Sequence, residues 1–252
     1  MSTTLLAVAH GSADPRSAAA VSALFERVRS LRPGLDARVC YLDHTAPSAE
    51  EALAELAASG AGEVVVLPTL LTAAFHSKVD LPGVLAGVRE RSPWLRVRYA
   101  DTLGPHPLLL EAVERRLAQA GAAADPGTAL VLASAGSSDP EANATVRAMA
   151  ERLAERGPWR EVVAAFASAA APTPGEAVAD LLGRGAERVA VATYLLAPGF
   201  FADRVREQSA AAGARTVSEA LGDVPELARV VLERYDAAVA RALAPTGRAP
   251  GQ

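Results

Sequence analysis

Four histidines and one aspartate carry the chemistry this chain is equipped for: His10, His44, His76, His106 and Asp43. Imidazole suits Fe, Co, Ni and Zn, and two imidazoles with one carboxylate leave coordination positions open for exchange. His10, Asp43 and His76 form such a set. Neutral His10 and His76 could also accept protons near neutral pH. Asp43 precedes Thr45-Ala46-Pro47, so a turn-forming role is equally open to it. His44 is expected on the opposite side from Asp43 if the strand before it extends that far. His106 lies between two prolines just before a helix, where its ring could instead fix the start of that helix. The single cysteine, Cys40, excludes an intrachain disulfide and a cysteine cluster, so metal ligands must be nitrogen and oxygen.

Other chemistries lack their signatures. The sequence has no G-x-S-x-G elbow, no G-x-x-x-x-G-K-[ST] loop and no G-x-G-x-x-G after its first strand. Ser12 beside His10 could suggest a nucleophile, but a serine survives at the equivalent Ser137, where the histidine is gone. A backbone or capping role for Ser12 follows. Asp14, which recurs as Asp139, reads as a helix N-cap.

That recurrence is general. Ala9-His10-Gly11-Ser12-Ala13-Asp14-Pro15 returns 125 positions later as Ser134-Ala135-Gly136-Ser137-Ser138-Asp139-Pro140. The same offset pairs Leu70-Leu71 with Leu195-Leu196, Phe75 with Phe200 and His76 with Phe201. Each copy alternates apolar runs with helix-period segments, the pattern of βαβ units and a parallel sheet. Strands are expected at 5–9, 37–42, 63–67 and 95–100, then at 129–133, 161–166, 188–194 and, more weakly, 214–217. Ser48 with Glu51 and Thr173 with Glu176 are capping boxes at matching helix starts.

The expected fold is therefore α/β. Two similar domains, 1–121 and 128–246, each hold a parallel four-stranded sheet flanked by helices, with a cleft between them. Gly121 to Gly127 serves as the linker, and Pro245 to Gln252 reads as a disordered end. Every histidine falls at the carboxyl edge of the first sheet, where open parallel sheets bind ligands. The counterparts in the second copy are Ala135, Ser168, Ala169, Phe201 and Val224, none a good metal ligand. The metal chemistry belongs to the first copy.

The 252 residues carry a net charge of -4 with no dense basic run, which gives no reason to expect nucleic-acid binding. Half the residues are apolar, but no stretch approaches the ~20 needed to span a bilayer. A soluble, cytoplasmic protein is expected.

Three segments in order and spacing resemble the sirohydrochlorin chelatase family of class II tetrapyrrole chelatases: Ala9 to Pro15, Leu67 to Pro82, and Leu103-Gly104-Pro105-His106-Pro107-Leu108. The resemblance covers nearly the whole chain, because the family includes forms with two similar α/β domains facing one another across a cleft. It implies insertion of a divalent metal, Fe2+ or Co2+, into sirohydrochlorin, with the metal as substrate and no prosthetic group. The tail has neither a histidine-rich tract nor a Cys-x-x-Cys motif, which favours Fe2+ and the sirohaem branch. A substrate so rich in carboxylates asks for cations in the cleft, and Lys78 and Arg204 are the nearest candidates. Phe200 and Phe201 could offer a surface to the ring or belong to the core. One chain could supply the whole cleft, compatible with a monomer. A non-catalytic metal or tetrapyrrole carrier and a metal-dependent hydrolase are the alternatives.

Overall fold

The computed structural model describes residues 3–73 and 81–243. The first half runs β1 (Thr4–Ala9), α1 (Pro15–Leu31), β2 (Ala37–Tyr41), α2 (Ala49–Ala58), β3 (Glu63–Pro68), α3 (Leu81–Arg91), β4 (Arg96–Tyr99) and α4 (Pro107–Gln119). The second repeats it as β5 (Thr128–Ser134), α5 (Pro140–Ala154), β6 (Glu161–Phe166), α6 (Pro174–Gly183), β7 (Arg188–Thr193), α7 (Phe200–Ala211), β8 (Thr216–Val217) and α8 (Pro225–Leu243). The sheets have the orders β2-β1-β3-β4 and β6-β5-β7-β8, and every pairing is parallel.

The central strands β1 and β5 are buried along their whole length because helices cover both sheet faces, which is why they read as unbroken apolar runs. Strand β8 is only two residues long, shorter than the expected 214–217, although Arg215 and Ser218 continue its bonding to Val189 and Val191. Helix starts follow their caps. Asp14 and Asp139 accept hydrogen bonds from the backbone N–H groups of Arg16 and Glu141, and both capping boxes close. Burial pushes the Cys40 thiol up to about 12, so it stays protonated and is no metal ligand.

Alternate residues of the strands serve different cores. Leu6, Val8, Val64 and Val66 face α2 and α3, and Val131, Val189 and Val191 face α6. The other faces, with Leu5, Ala7, Val65 and Leu67 from one sheet and Leu130, Leu132, Ala190 and Ala192 from the other, share one continuous core. Helices α1, α4, α5 and α8 fill it.

Two of those helices change places. Helix α4, which follows the first sheet, packs against β7 of the second, while α8, at the end of the second half, packs against β3 and β4 of the first. The helices also pack on each other. At one end of their contact Arg115 makes a forked pair with the buried carboxylate of Glu226 at 2.6–3.0 Å, and at the other His106 meets Glu233 at 3.1 Å. Arg116 donates to the carbonyl of Leu221 at 2.7 and 3.0 Å, and Arg234 to that of Leu103 at 3.1 Å. With Leu103-Gly104 aligned on Leu221-Gly222, these arginines hold the same position in the two halves. Each therefore anchors the loop of the opposite sheet. A boundary drawn between residues 121 and 128 divides the chain into repeats but not into separately packed bodies. Among the described residues no helix is long and apolar enough to cross a membrane.

The hydrogen bonds from Arg115 hold the Glu226 carboxyl below its usual range. A depressed acid contributes stability above its unfolded pKa of about 4.3 and loses it as pH falls through the folded value. Arg115→Ala should lower stability at neutral pH, by an amount reduced by solvent screening because Arg115 is half exposed. Thermal midpoints measured from pH 7 down to pH 3 should show the gap between the wild type and the variant closing below about pH 4.

Candidate functional site

His10 follows the last residue of β1 at the carboxyl edge of the first sheet and is exposed. The chain reverses at once at Gly11, whose φ of +90° belongs to the left-handed region. Space demands glycine as well, since a Cβ there would lie 1.7 Å from the carbonyl oxygen of Asp43. That close approach lets the loops after β1 and β2 join. The Asp43 N–H donates to the His10 carbonyl at 3.0 Å, and the Thr45 hydroxyl bonds both the N–H and the carbonyl of Ser12. The backbone of the second loop is thus carried against that of His10.

Strand β2 ends at Tyr41, so strand alternation does not reach Asp43 and His44. The expectation that they point apart is corrected for that reason. His44 adopts φ +57°, its N–H donates to Asp43 Oδ1 at 2.8 Å, and its Nε2 lies 3.2 Å from Asp43 Oδ2. Both side chains are exposed. His106 is taken up by structure: its Nδ1 accepts from the Leu108 N–H at 3.2 Å as the N-cap of α4, and its Nε2 faces Glu233 at 3.1 Å. Both ring nitrogens are engaged and the side chain is mostly buried, so His106 fixes the start of the exchanged helix.

His76 and Lys78 lie outside the described residues. Among the described residues no three His, Cys, Asp or Glu side chains converge as a metal site. The described part of the expected set is His10 on one loop and Asp43 on the next.

The second half keeps this scaffold without its ligands. Gly136 has φ +84°, a Cβ on it would lie 2.0 Å from the Ser168 carbonyl, and Ser168 donates to the Ala135 carbonyl at 2.9 Å. Ala169 repeats the φ of +57° found at His44. Backbone conformation has outlasted the imidazoles.

Opposite the His10 loop stands the start of α7. A Cβ on Gly199 would come within 3.8 Å of Ser12 Oγ and 3.9 Å of Asp14 Cβ, so the two halves approach here. Phe200 is 68% and Phe201 39% exposed, their rings edge to face at 5.3 Å. They present an aromatic surface and are not core. Arg204, on the same helix, is half-buried and makes no hydrogen bond or ion pair with the described residues.

Four charged residues, Arg16, Asp203, Arg206 and Glu219, carry no signal of their own in the sequence. Arg16 bonds Asp14 of its own half through Nε and Nη2, and across the interface reaches Asp203 of α7 at 2.5 Å. Those hydrogen bonds, donated first to Asp14 and then to Asp203, raise the affinity of the guanidinium for its proton, and Arg16 in turn holds the Asp14 carboxyl below the usual range. Arg206 pairs with Glu219 at 2.6 Å. A signal lies in the repeat, because the 125-residue offset places Glu141 where Arg16 stands and Lys78 where Asp203 stands. The copies differ in charge as well as in histidine.

Residues 4–120 and 129–238 each match the family described as CbiX. The chain belongs to the CbiX family. Among curated relatives, the sirohydrochlorin cobaltochelatase of Priestia megaterium is 29% identical over 211 residues, covering 81% of this chain and 67% of the relative. The sirohydrochlorin ferrochelatase of the same organism is 26% identical over 204 residues, covering 81% and 77%. Among solved structures, SirB from Bacillus subtilis with Fe3+ superposes with a TM-score of 0.85 at 25% identity, covering 97% of this chain and 98% of SirB. The doubled α/β architecture is therefore that of a CbiX-type chelatase, and the family match falls on both repeats.

The Gly11 turn is directly testable. Gly11→Ala should cost on the order of 2–4 kcal/mol, combining left-handed strain with displacement of the Asp43 carbonyl. Gly60→Ala is the control: φ there is +79° with nothing within 4 Å of the added Cβ, so its cost is strain alone, about 1 kcal/mol. Chemical denaturation of both variants measures the difference.

Proposed function

We propose that this protein is a sirohydrochlorin chelatase that inserts a divalent metal, Fe2+ in preference to Co2+, into sirohydrochlorin. The observation that carries the reading is the asymmetry of a duplicated family scaffold, with one strand-end turn bearing His10 and its copy bearing Ala135. Relatives named as sirohydrochlorin cobaltochelatase and ferrochelatase match along most of the chain.

The reaction exchanges two pyrrole N–H protons for one metal ion. The site has to present the metal, receive the protons and hold the macrocycle. His10 and His76 present the metal and accept the protons, since neutral imidazole does both near neutral pH. Asp43 completes the ligand set by turning its carboxylate from His44 to the ion. Two imidazoles and a carboxylate bind firmly enough to collect the ion while leaving positions open for the incoming nitrogens. The second half holds the macrocycle, with Phe200 and Phe201 against its face. Arg204 and Lys78 answer its peripheral carboxylates. One chain supplies both walls, so the working unit is a monomer.

The test is incubation with sirohydrochlorin and each of Fe2+, Co2+ and Ni2+, followed by absorption spectroscopy. Many turnovers per chain are expected. Stoichiometric uptake alone would mark a carrier, and no spectral change would return the metal-dependent hydrolase to consideration. His10→Ala and His76→Ala should each lower the rate roughly 100-fold or more, the scale of a lost acid-base group. Ser137→Ala, in the second copy, should leave it within about twofold. Parental rates in His10→Ala at matched substrate and metal would remove His10 from the site.

A further inference from the structure

A cavity of about 250 Å3 lies at the carboxyl edge of the second sheet, where α1 of the first half meets α7. Its polar lining is Thr193, Ser218 and Glu219 at the ends of β7 and β8, Asp203 and Arg206 on α7, and Arg16 from α1. The hydroxyl groups are spoken for. Thr193 Oγ1 donates to the Ser218 carbonyl at 2.6 Å, and Ser218 Oγ accepts from the Thr193 N–H at 3.0 Å. Two guanidiniums are left as the groups able to recognise a ligand.

Those guanidiniums are held unequally by their acids. Asp14 caps α1 through the Arg16 N–H, is only 22% exposed, and grips Arg16 along its Nε side. That grip orients the side chain whatever happens at its other edge. Asp203 contacts the outer edge, Nη1 and Nη2, and its own side chain is 45% exposed, while Glu219 on Arg206 is 66% exposed. Ion pairs so open to water hold weakly and exchange readily. The outer edge of Arg16 is thus a preset carboxylate fork occupied by a replaceable carboxylate.

We infer that this cavity is a subsite for a carboxylate-bearing arm of the tetrapyrrole, and that Asp203 occupies the arm's position until substrate arrives. The inference rests on the chelatase reading, since it takes its ligand from that substrate. The arm's carboxylate displaces Asp203 from the Nη edge of Arg16 and enters beside Arg206. No covalent step is involved. The volume suffices for a short arm with several waters, each taking about 30 Å3. Because the fork comes from the first half and the cavity wall from the second, one arm seated there ties the macrocycle to both sides of the cleft. Arg16 is then a specificity residue for a peripheral substituent and takes no part in moving metal or protons.

The discriminating experiment titrates metal-free sirohydrochlorin into the full-length protein and follows fluorescence for the wild type, Arg16→Ala and Asp203→Asn. A subsite predicts opposite signs. Arg16→Ala should weaken binding about tenfold, the loss of one charge-assisted contact, and Asp203→Asn should tighten it roughly two- to fivefold because the competitor is gone. If the Arg16–Asp203 contact only fastens the halves together, both variants weaken binding, and that result overturns the proposal, as does no change in either. Should Arg16→Ala fail to fold, Asp203→Asn decides alone: tighter binding upholds the subsite, equal or weaker binding overturns it. A wild-type protein that binds no sirohydrochlorin overturns the subsite and the chelatase reading together. A wild type that turns over while Asp203→Asn binds more weakly overturns the subsite alone.

Discussion

The structure depends on the exchange of α4 and α8. Neither sheet buries its inner face with helices from its own half alone; each borrows the last helix of the other, and the result is a single core running between the sheets. Hydrophobic burial is non-directional and cannot by itself choose which helix covers which sheet. Polar contacts fasten the exchanged helices in place. Arg116 and Arg234 each find a backbone carbonyl on the opposite half, and Arg115 meets a carboxylate that is almost fully buried. Arg116 and Arg234, at equivalent positions, bind equivalent carbonyls of the two halves, so these bonds fasten the exchanged arrangement from both sides.

Fastening the halves in this way also fixes the cleft. The loop after β1 and the start of α7 approach within van der Waals distance of a Cβ at Gly199, so the aromatic pair Phe200 and Phe201 is held relative to His10 by the whole core and not by one flexible linker. A duplicated scaffold then permits division of labour. The second half retains the glycine turn, the left-handed residue and the cap of the first, because these keep a strand end and a helix start in register. It lost the imidazoles while keeping the backbone turns that carry them in the first half.

Much of this was legible in the residues. Apolar runs bounded by turn formers marked the strands, and serine, threonine and aspartate marked the helix starts, because both signals are local. The offset between the copies located the edge where chemistry belongs. Helix exchange was not legible: the apolar stripe of α4 says that one face is buried and is silent about which sheet covers it. The placing of His44 opposite Asp43 depended on the strand reaching them, and β2 ends at Tyr41 while His44 itself takes the left-handed conformation. His106 carried a better signal, as a residue between two prolines at a helix start commonly acts as its cap. Arg16 is marked in the repeat only by a reversal of charge, Glu141 standing in its place in the second copy, and a single charge at a helix start does not by itself distinguish a solvated face from a site.

The exchange also imposes a timetable on synthesis. Strands β3 and β4 leave the ribosome long before α8, with roughly 160 residues between the end of β3 and the start of α8. At about 5–20 residues per second, the inner face of the first sheet waits on the order of 8–30 seconds for its cover. Helix α4 waits in turn for β7. During that interval the nascent first half carries an uncovered apolar surface of the kind that chaperones bind and that neighbouring nascent chains could cover by mistake, each lending the other the helix it lacks. The contact that makes the finished molecule one body is thus also the one most easily made between two molecules during translation, and short spacing of ribosomes on the message would favour the error.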